Sequence, residues 1–152
     1  MATGGSKAVL TVDLGAAERA ADLLAVVRDP AGNVSPADTA VVNLDFTAPR
    51  IVSAVQDGSM VTVTFDEPLA SGRDAAFDWN VRATQGGESR VRPVSSVTGS
   101  GDTRILTVSE GAYDPTQGDV TAVIYNYRGP DGQRYTDRAT NLVPNLSAPV
   151  SR

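Results

Sequence analysis

The sequence predicts an all-β protein built on a two-sheet sandwich, and three observations carry that prediction. Short runs in which apolar and polar residues alternate with period 2 recur along the chain. Clusters rich in Gly, Pro, Asp and Ser separate these runs as turns would. The 152 residues include no cysteine and no histidine, so the fold relies on neither disulfides nor thiolate or imidazole metal sites. A chain of this length suggests one full domain plus an extra piece, and its core holds without staples.

The alternation is cleanest in residues 59–65, SMVTVTF, where Val61, Val63 and Phe65 line one face with Thr62 and Thr64 between them. Residues 49–56, PRIVSAVQ, precede it across Asp57-Gly58, a dipeptide suited to a tight hairpin. Further strands are expected over residues 77–84, 91–98, 104–108 and 120–127, separated by turns at 85–87, 99–102, 114–115 and 129–132. Pro93 inside one of them marks an edge strand or a bulge. The expected core is Val61, Val63, Phe65, Phe77, Trp79, Ile105, Val123 and Tyr125.

The first third of the chain is harder to place. Residues 15–29, GAAERAADLLAVVRD, contain strong helix formers, and Leu14, Ala17, Ala21, Leu24 and Arg28 would share a helical face. Residues 23–27 nevertheless form a compact apolar run that ends in a turn, as a buried strand does. A strand is expected over residues 23–28, with a loop or single helical turn over 16–21. Residues 29–49, DPAGNVSPADTAVVNLDFTAP, then read as a turn at 29–33 and an alternating strand that Pro49 stops.

Residues 23–49 resemble the closing strands of bacterial Ig-like repeats, whose last hairpin carries an Asp-x-Ala-Gly-Asn turn. The Asp-x-Thr-Ala-Pro junction of such arrays is matched by residues 45–49. Beyond it, PRIVSAVQDGSMVTVTFDEPLA, AAFDWNVRA, TRILTVSEGAYDPTQGDVTAVIYN and DRATNLVPNL are similar to a full repeat of the SwmB type, with the Phe-x-Glu-Pro-Leu signature at residues 65–69. The chain departs from the pattern at Thr140-Asn141, where the resemblance calls for Gly-Asn. The resemblance implies an Ig-like Greek-key β-sandwich over residues 49–146, with residues 147–152 as a C-terminal tail. Before it, residues 1–48 would form a short, incomplete Ig-like β-segment, an assembly or docking element. Such a partial sheet needs outside cover for an apolar face that includes Val9 or Leu10, Leu24, Val26, Val41 and Leu44.

Charge excludes some partners. The net charge is −5 with no basic run, which argues against nucleic acid and against a polybasic membrane anchor. No stretch is long and apolar enough to insert in a bilayer, and residues 8–14 are too short and too interrupted for a secretory signal.

Chemical candidates are few. Asp66 and Glu67 are the nearest to a carboxylate pair, but strand neighbours point to opposite faces. Asp29, Asp45, Asp57 and Asp66 offer hard oxygen ligands for calcium near the domain junction, yet lack EF-hand spacing and suit turn capping. Lys7 is the sole lysine that an isopeptide cross-link could use, and it sits near a terminus. Phe77 and Trp79 share parity with Val81 and are expected in the core rather than in a ligand groove. Tyr125 and Tyr127 share a face, and one of them is a candidate for a hydroxyl bonded to backbone at a sandwich corner.

No nucleophile elbow occurs, and no histidine could activate one. The expectation is therefore a protein that is not an enzyme and needs no catalytic residues, cofactor or metal. It would be a structural protein of a larger assembly with protein partners, capsid protein or sister subunits. The setting expected first is the virion surface of a bacteriophage, as a capsid decoration or head protein. The alternative is a bacterial cell-surface adhesin built of Ig-like repeats.

Overall fold

The computed structural model describes residues 19–70, 72–109 and 118–152. The chain divides into two compact units, Met1–Phe46 and Thr47–Arg152, and the division falls at the Thr-Ala-Pro junction. In the first unit, β1 (Arg19–Ala25) pairs antiparallel with β2 (Asp38–Leu44). The strand over the ambiguous stretch therefore begins earlier than expected, and residues 19–21 belong to it rather than to a helical turn. Cross-strand pairing with β2 outweighs the local helix propensity there. Lys7, Val9 and Leu10 lie outside the described residues.

The second unit contains β3 (Ile51–Asp57), β4 (Met60–Phe65), β5 (Trp79–Gln85), β6 (Glu88–Thr98), β7 (Thr103–Val108), β8 (Gly118–Tyr125) and β9 (Leu146–Pro149). Their hydrogen-bonded order is β3-β4-β7-β6-β5-β8-β9, antiparallel throughout. The β5–β6 turn is Gly86-Gly87, both at positive φ (60° and 80°), as a two-residue hairpin turn demands.

The order resolves into two layers because β6 serves both. Residues 88–93 of β6 pair with β5, and residues 94–98 pair with β7. Pro93 sits at the changeover, and the β6–β7 register shifts between Val94 and Ser96. A residue without an N–H is tolerated where the strand leaves one partner for another. The Pro93 carbonyl still accepts from Ser109 N at 3.2 Å.

One layer is thus β3-β4-β7 with the end of β6, and the other is the start of β6 with β5-β8-β9. A parallel bridge between Val55 and Ser151 joins the outer strands, with Gln56 N donating to Ser151 O at 2.8 Å and Ser151 N to Ala54 O at 2.9 Å. The result is an all-β, Ig-like sandwich closed almost into a barrel. Residues 147–152 are not a tail: they supply the last strand and the closing bridge.

The core holds Val61, Val63, Phe65, Trp79, Val81, Leu106, Val123 and Tyr125, all buried. Two expected members are elsewhere. Ile105 is only half-buried, because β7 turns Arg104, Leu106 and Val108 inward instead. Three consecutive positions able to pack (Arg104, Ile105 and Leu106) hide the phase of that strand. Phe77 is 58% exposed. It lies in a 3₁₀ turn (Ala76–Asp78) ahead of β5, so strand parity with Trp79 does not reach it, and its ring is covered by the Arg73 guanidinium at 4.4 Å.

Candidate functional site

Two of the carboxylates singled out in the sequence, Asp66 and Asp29, serve the backbone. Asp66 Oδ1 accepts from Arg50 N at 2.8 Å while Asp66 N donates to Arg50 O at 3.0 Å, which fastens the start of β3 to the end of β4. Asp57 lies at the opposite end of β4, so these two cannot share a cation. Asp29 holds its own turn, and the hydrogen bond from the Asn33 side chain keeps its carboxyl below the usual carboxylate value. Asp45 is half-buried. Glu67 does meet a second carboxylate, but not that of Asp66: an oxygen of Asp137 lies within 4.8 Å of it. Asp137 is buried and was not foreseen, because it lies far along the chain in the closing loop.

Asp137 shapes that loop. Its Oδ1 accepts from Asn141 N at 2.9 Å, and its Oδ2 from Asn141 Nδ2 at 2.8 Å. Its backbone N–H donates to Asn141 O at 3.2 Å, and Thr140 N donates to Asp137 O at 3.3 Å. Asn141 Nδ2 also donates to Thr47 O at 3.1 Å, which ties the loop to the start of the unit.

The same loop occurs in the first unit. Asp29 Oδ1 and Oδ2 accept from Asn33 N and Nδ2 at 2.9 and 2.8 Å, Asp29 N donates to Asn33 O at 3.0 Å, and Gly32 N donates to Asp29 O at 3.0 Å. The flanks match too. Arg28 bridges Val34 as Thr136 bridges Leu142, and Ser35 N donates to Val27 O as Val143 N does to Tyr135 O, both at 2.8 Å. A proline follows in each, Pro36 and Pro144, and the second residue after it opens β2 or β9. The ladders β1–β2 and β8–β9 then run antiparallel from Ala25↔Asp38 and Tyr125↔Leu146. The second copy differs by the extra residues 126–133.

The two hairpins differ in what covers them. Val123, Tyr125, Tyr135 and Val143 are buried in the second unit. Their counterparts Leu23, Ala25, Val27 and Ser35 are half-buried or exposed, and Val27 is 72% exposed. In the second unit β5 lies along β8, pairing Trp79 with Tyr125 and Val81 with Val123, whereas among the described residues β1 pairs with β2 alone. The register also divides the apolar set expected to need cover. Leu24 and Val41 stand on one face, and Leu44 stands on the other with Leu23 and Val42.

Around the core of the second unit lies a polar girdle that the sequence did not announce. Arg104, buried, pairs with Asp74 at 2.9 Å and lies 4.9 Å over the Tyr135 ring, whose hydroxyl donates to Asp74 at 2.6 Å. Burial, then the Asp74 hydrogen bond, pushes the Tyr135 hydroxyl pKa up, and burial pushes Tyr125 up to about 12. Tyr125 packs on Trp79 with ring centroids 4.8 Å apart. The Tyr127 hydroxyl donates to a backbone carbonyl, that of Pro130, and the Tyr125 hydroxyl is hydrogen-bonded to the backbone of Tyr135. Asp78, buried, accepts from Arg128 N at 3.1 Å and faces Arg73 at 3.4 Å.

No protein-family model matches the chain, and neither a curated protein nor a solved structure matches it. Among the described residues no helix is long and apolar enough to cross a membrane.

Proposed function

We propose that this is a non-enzymatic structural protein made of consecutive Ig-like repeats, acting as a spacer and assembly element on a bacterial cell surface. The observation that carries the reading is the recurrence of one closing hairpin. Its Asp–Asn loop, flanking bridge and following proline appear once at residues 28–36 and again at 136–144. Each copy of the hairpin brings the same loop, whose carboxylate holds backbone rather than presenting a group for catalysis.

Of the two settings that the sequence suggests, an adhesin array accounts for this recurrence directly. A capsid decoration or head protein on a phage virion does not by itself call for it. The use of the carboxylates agrees with a mechanical role, since Asp29, Asp66, Asp78 and Asp137 each fasten backbone. The test is localisation. Antibodies raised against the Thr47–Arg152 unit should label the surface of intact producing cells. Recovery only in purified phage particles would overturn the array reading in favour of the virion.

A further inference from the structure

We propose that the β1–β2 hairpin is a docking surface for the first four strands of an Ig-like repeat, a segment with the pattern of β3–β6. This rests on the reading of the chain as consecutive repeats, and it names what the first hairpin binds. The second unit supplies the template. There, β8 receives β5 along its free edge, in the register Trp79↔Tyr125 to Gln85↔Gly118, and β3 bridges Ser151 just past β9. The hairpin of the first unit has the same ladder and the same loop, yet β1 has no strand on its other edge among the described residues.

The recurrence extends upstream in the sequence alone: Leu10-Thr11-Val12 and Gly15-Ala16 repeat Leu106-Thr107-Val108 and Gly111-Ala112. In the second unit the segment that lies along the matching edge is β5, within the run β3–β6. Correspondence with Val123, Tyr125 and Tyr135 assigns Leu23, Ala25 and Val27 to the docking face, where the ladder sets Ala40 opposite Leu23 and Asp38 opposite Ala25, with Val42 further along the same face. Leu24 and Val41 are 69% and 66% exposed but lie on the opposite face, which stays outward on docking. An added strand satisfies the open N–H and C=O groups of β1, and its inward side chains cover the apolar face.

The test is a fusion in which residues 47–102 of this sequence are placed ahead of Met1 of the full chain. Hydrogen exchange read by mass spectrometry should show residues 19–44 exchanging about 100-fold more slowly in the fusion than in the unfused chain, with the Thr47–Arg152 unit unchanged. Leu23→Asp should cancel that protection, and Leu24→Asp should leave it. A second fusion carrying Ala25→Tyr and Val27→Tyr restores the side chains that the donated strands meet in their own repeat. If both fusions leave residues 19–44 as fast as before, or if Leu24→Asp is the damaging change, the docking surface is wrong. Concentration-dependent protection of residues 19–44 in the unfused chain would also overturn it, because a second copy would then be the occupant. None of these results bears on cell-surface labelling, so the two proposals fail separately.

Discussion

Thr140 stands where Gly32 stands. Both occupy the fourth position of an Asp-x-Ala-x-Asn loop, and both have positive φ, 72° and 90°. The Asp–Asn hydrogen bonds of the loop force the conformation on a β-branched residue that disfavours it. Glycine adopts it without that cost, so Thr140→Gly should stabilise the second unit by about 0.5–1 kcal/mol after the entropy of glycine is counted. A rise in Tm of a few degrees would register this; a fall would mean that the threonine side chain earns its place. Gly32→Thr should loosen the first hairpin, by backbone conformation alone, since a Cβ there meets nothing within 4 Å.

Asp74 joins two groups that burial makes dependent on it. Asp74→Ala leaves the Arg104 guanidinium and the Tyr135 hydroxyl without their carboxylate, and should cost about 2–3 kcal/mol. Urea unfolding of Asp74→Ala against Asp74→Asn separates the charge from the hydrogen bond. Equal stability of Asp74→Ala and the parent would contradict the arrangement.

Gln56 fastens the two layers to each other. It is buried on β3; its Oε1 accepts from Val120 N on β8 at 2.7 Å, and its Nε2 donates to Gly58 O at 2.9 Å. Gln56→Leu keeps the volume and strands the Val120 N–H, at a cost of about 2 kcal/mol. Loss of exchange protection at Val120 ahead of its neighbours is the sign to look for.

The buried tyrosines predict an alkaline limit. Burial raises Tyr125 to about 12 and raises Tyr135 in the same direction, both above the ordinary value of 10. The folded state therefore holds these protons more tightly than the unfolded chain. That contribution is fully present below pH 10 and is lost as pH rises from 10 toward 12. Denaturant midpoints should fall across that window, and tyrosinate absorbance at these two residues should appear together with unfolding. In Tyr135→Phe the fall should be smaller.

How much was legible in the sequence depended on whether a strand had one apolar phase. Residues 59–65 have one, and Val61, Val63 and Phe65 are buried as their alternation required. Residues 104–108 have two candidate phases, and only packing against the neighbouring strands chose Leu106 over Ile105. Pro93 announced an irregularity in β6, but not that the strand passes from one layer to the other there, because that depends on which partners flank it.

What the sequence determined by itself was therefore local: the period of each strand, the turns between them, and the Asp–Asn loop recognisable at residues 29–33. Its recurrence at 137–141, despite threonine in the glycine position, was decided by hydrogen bonds that close only in the folded loop. The tertiary structure alone brought Asp137 to Glu67, Gln56 to Val120 and Asp74 to both Arg104 and Tyr135. It also assigned Leu23 and Leu24 to opposite faces of the first hairpin through the β1–β2 register. Alternation is a property of neighbours along the chain, whereas these pairings join residues distant in sequence, and only burial in a shared core brings such residues together.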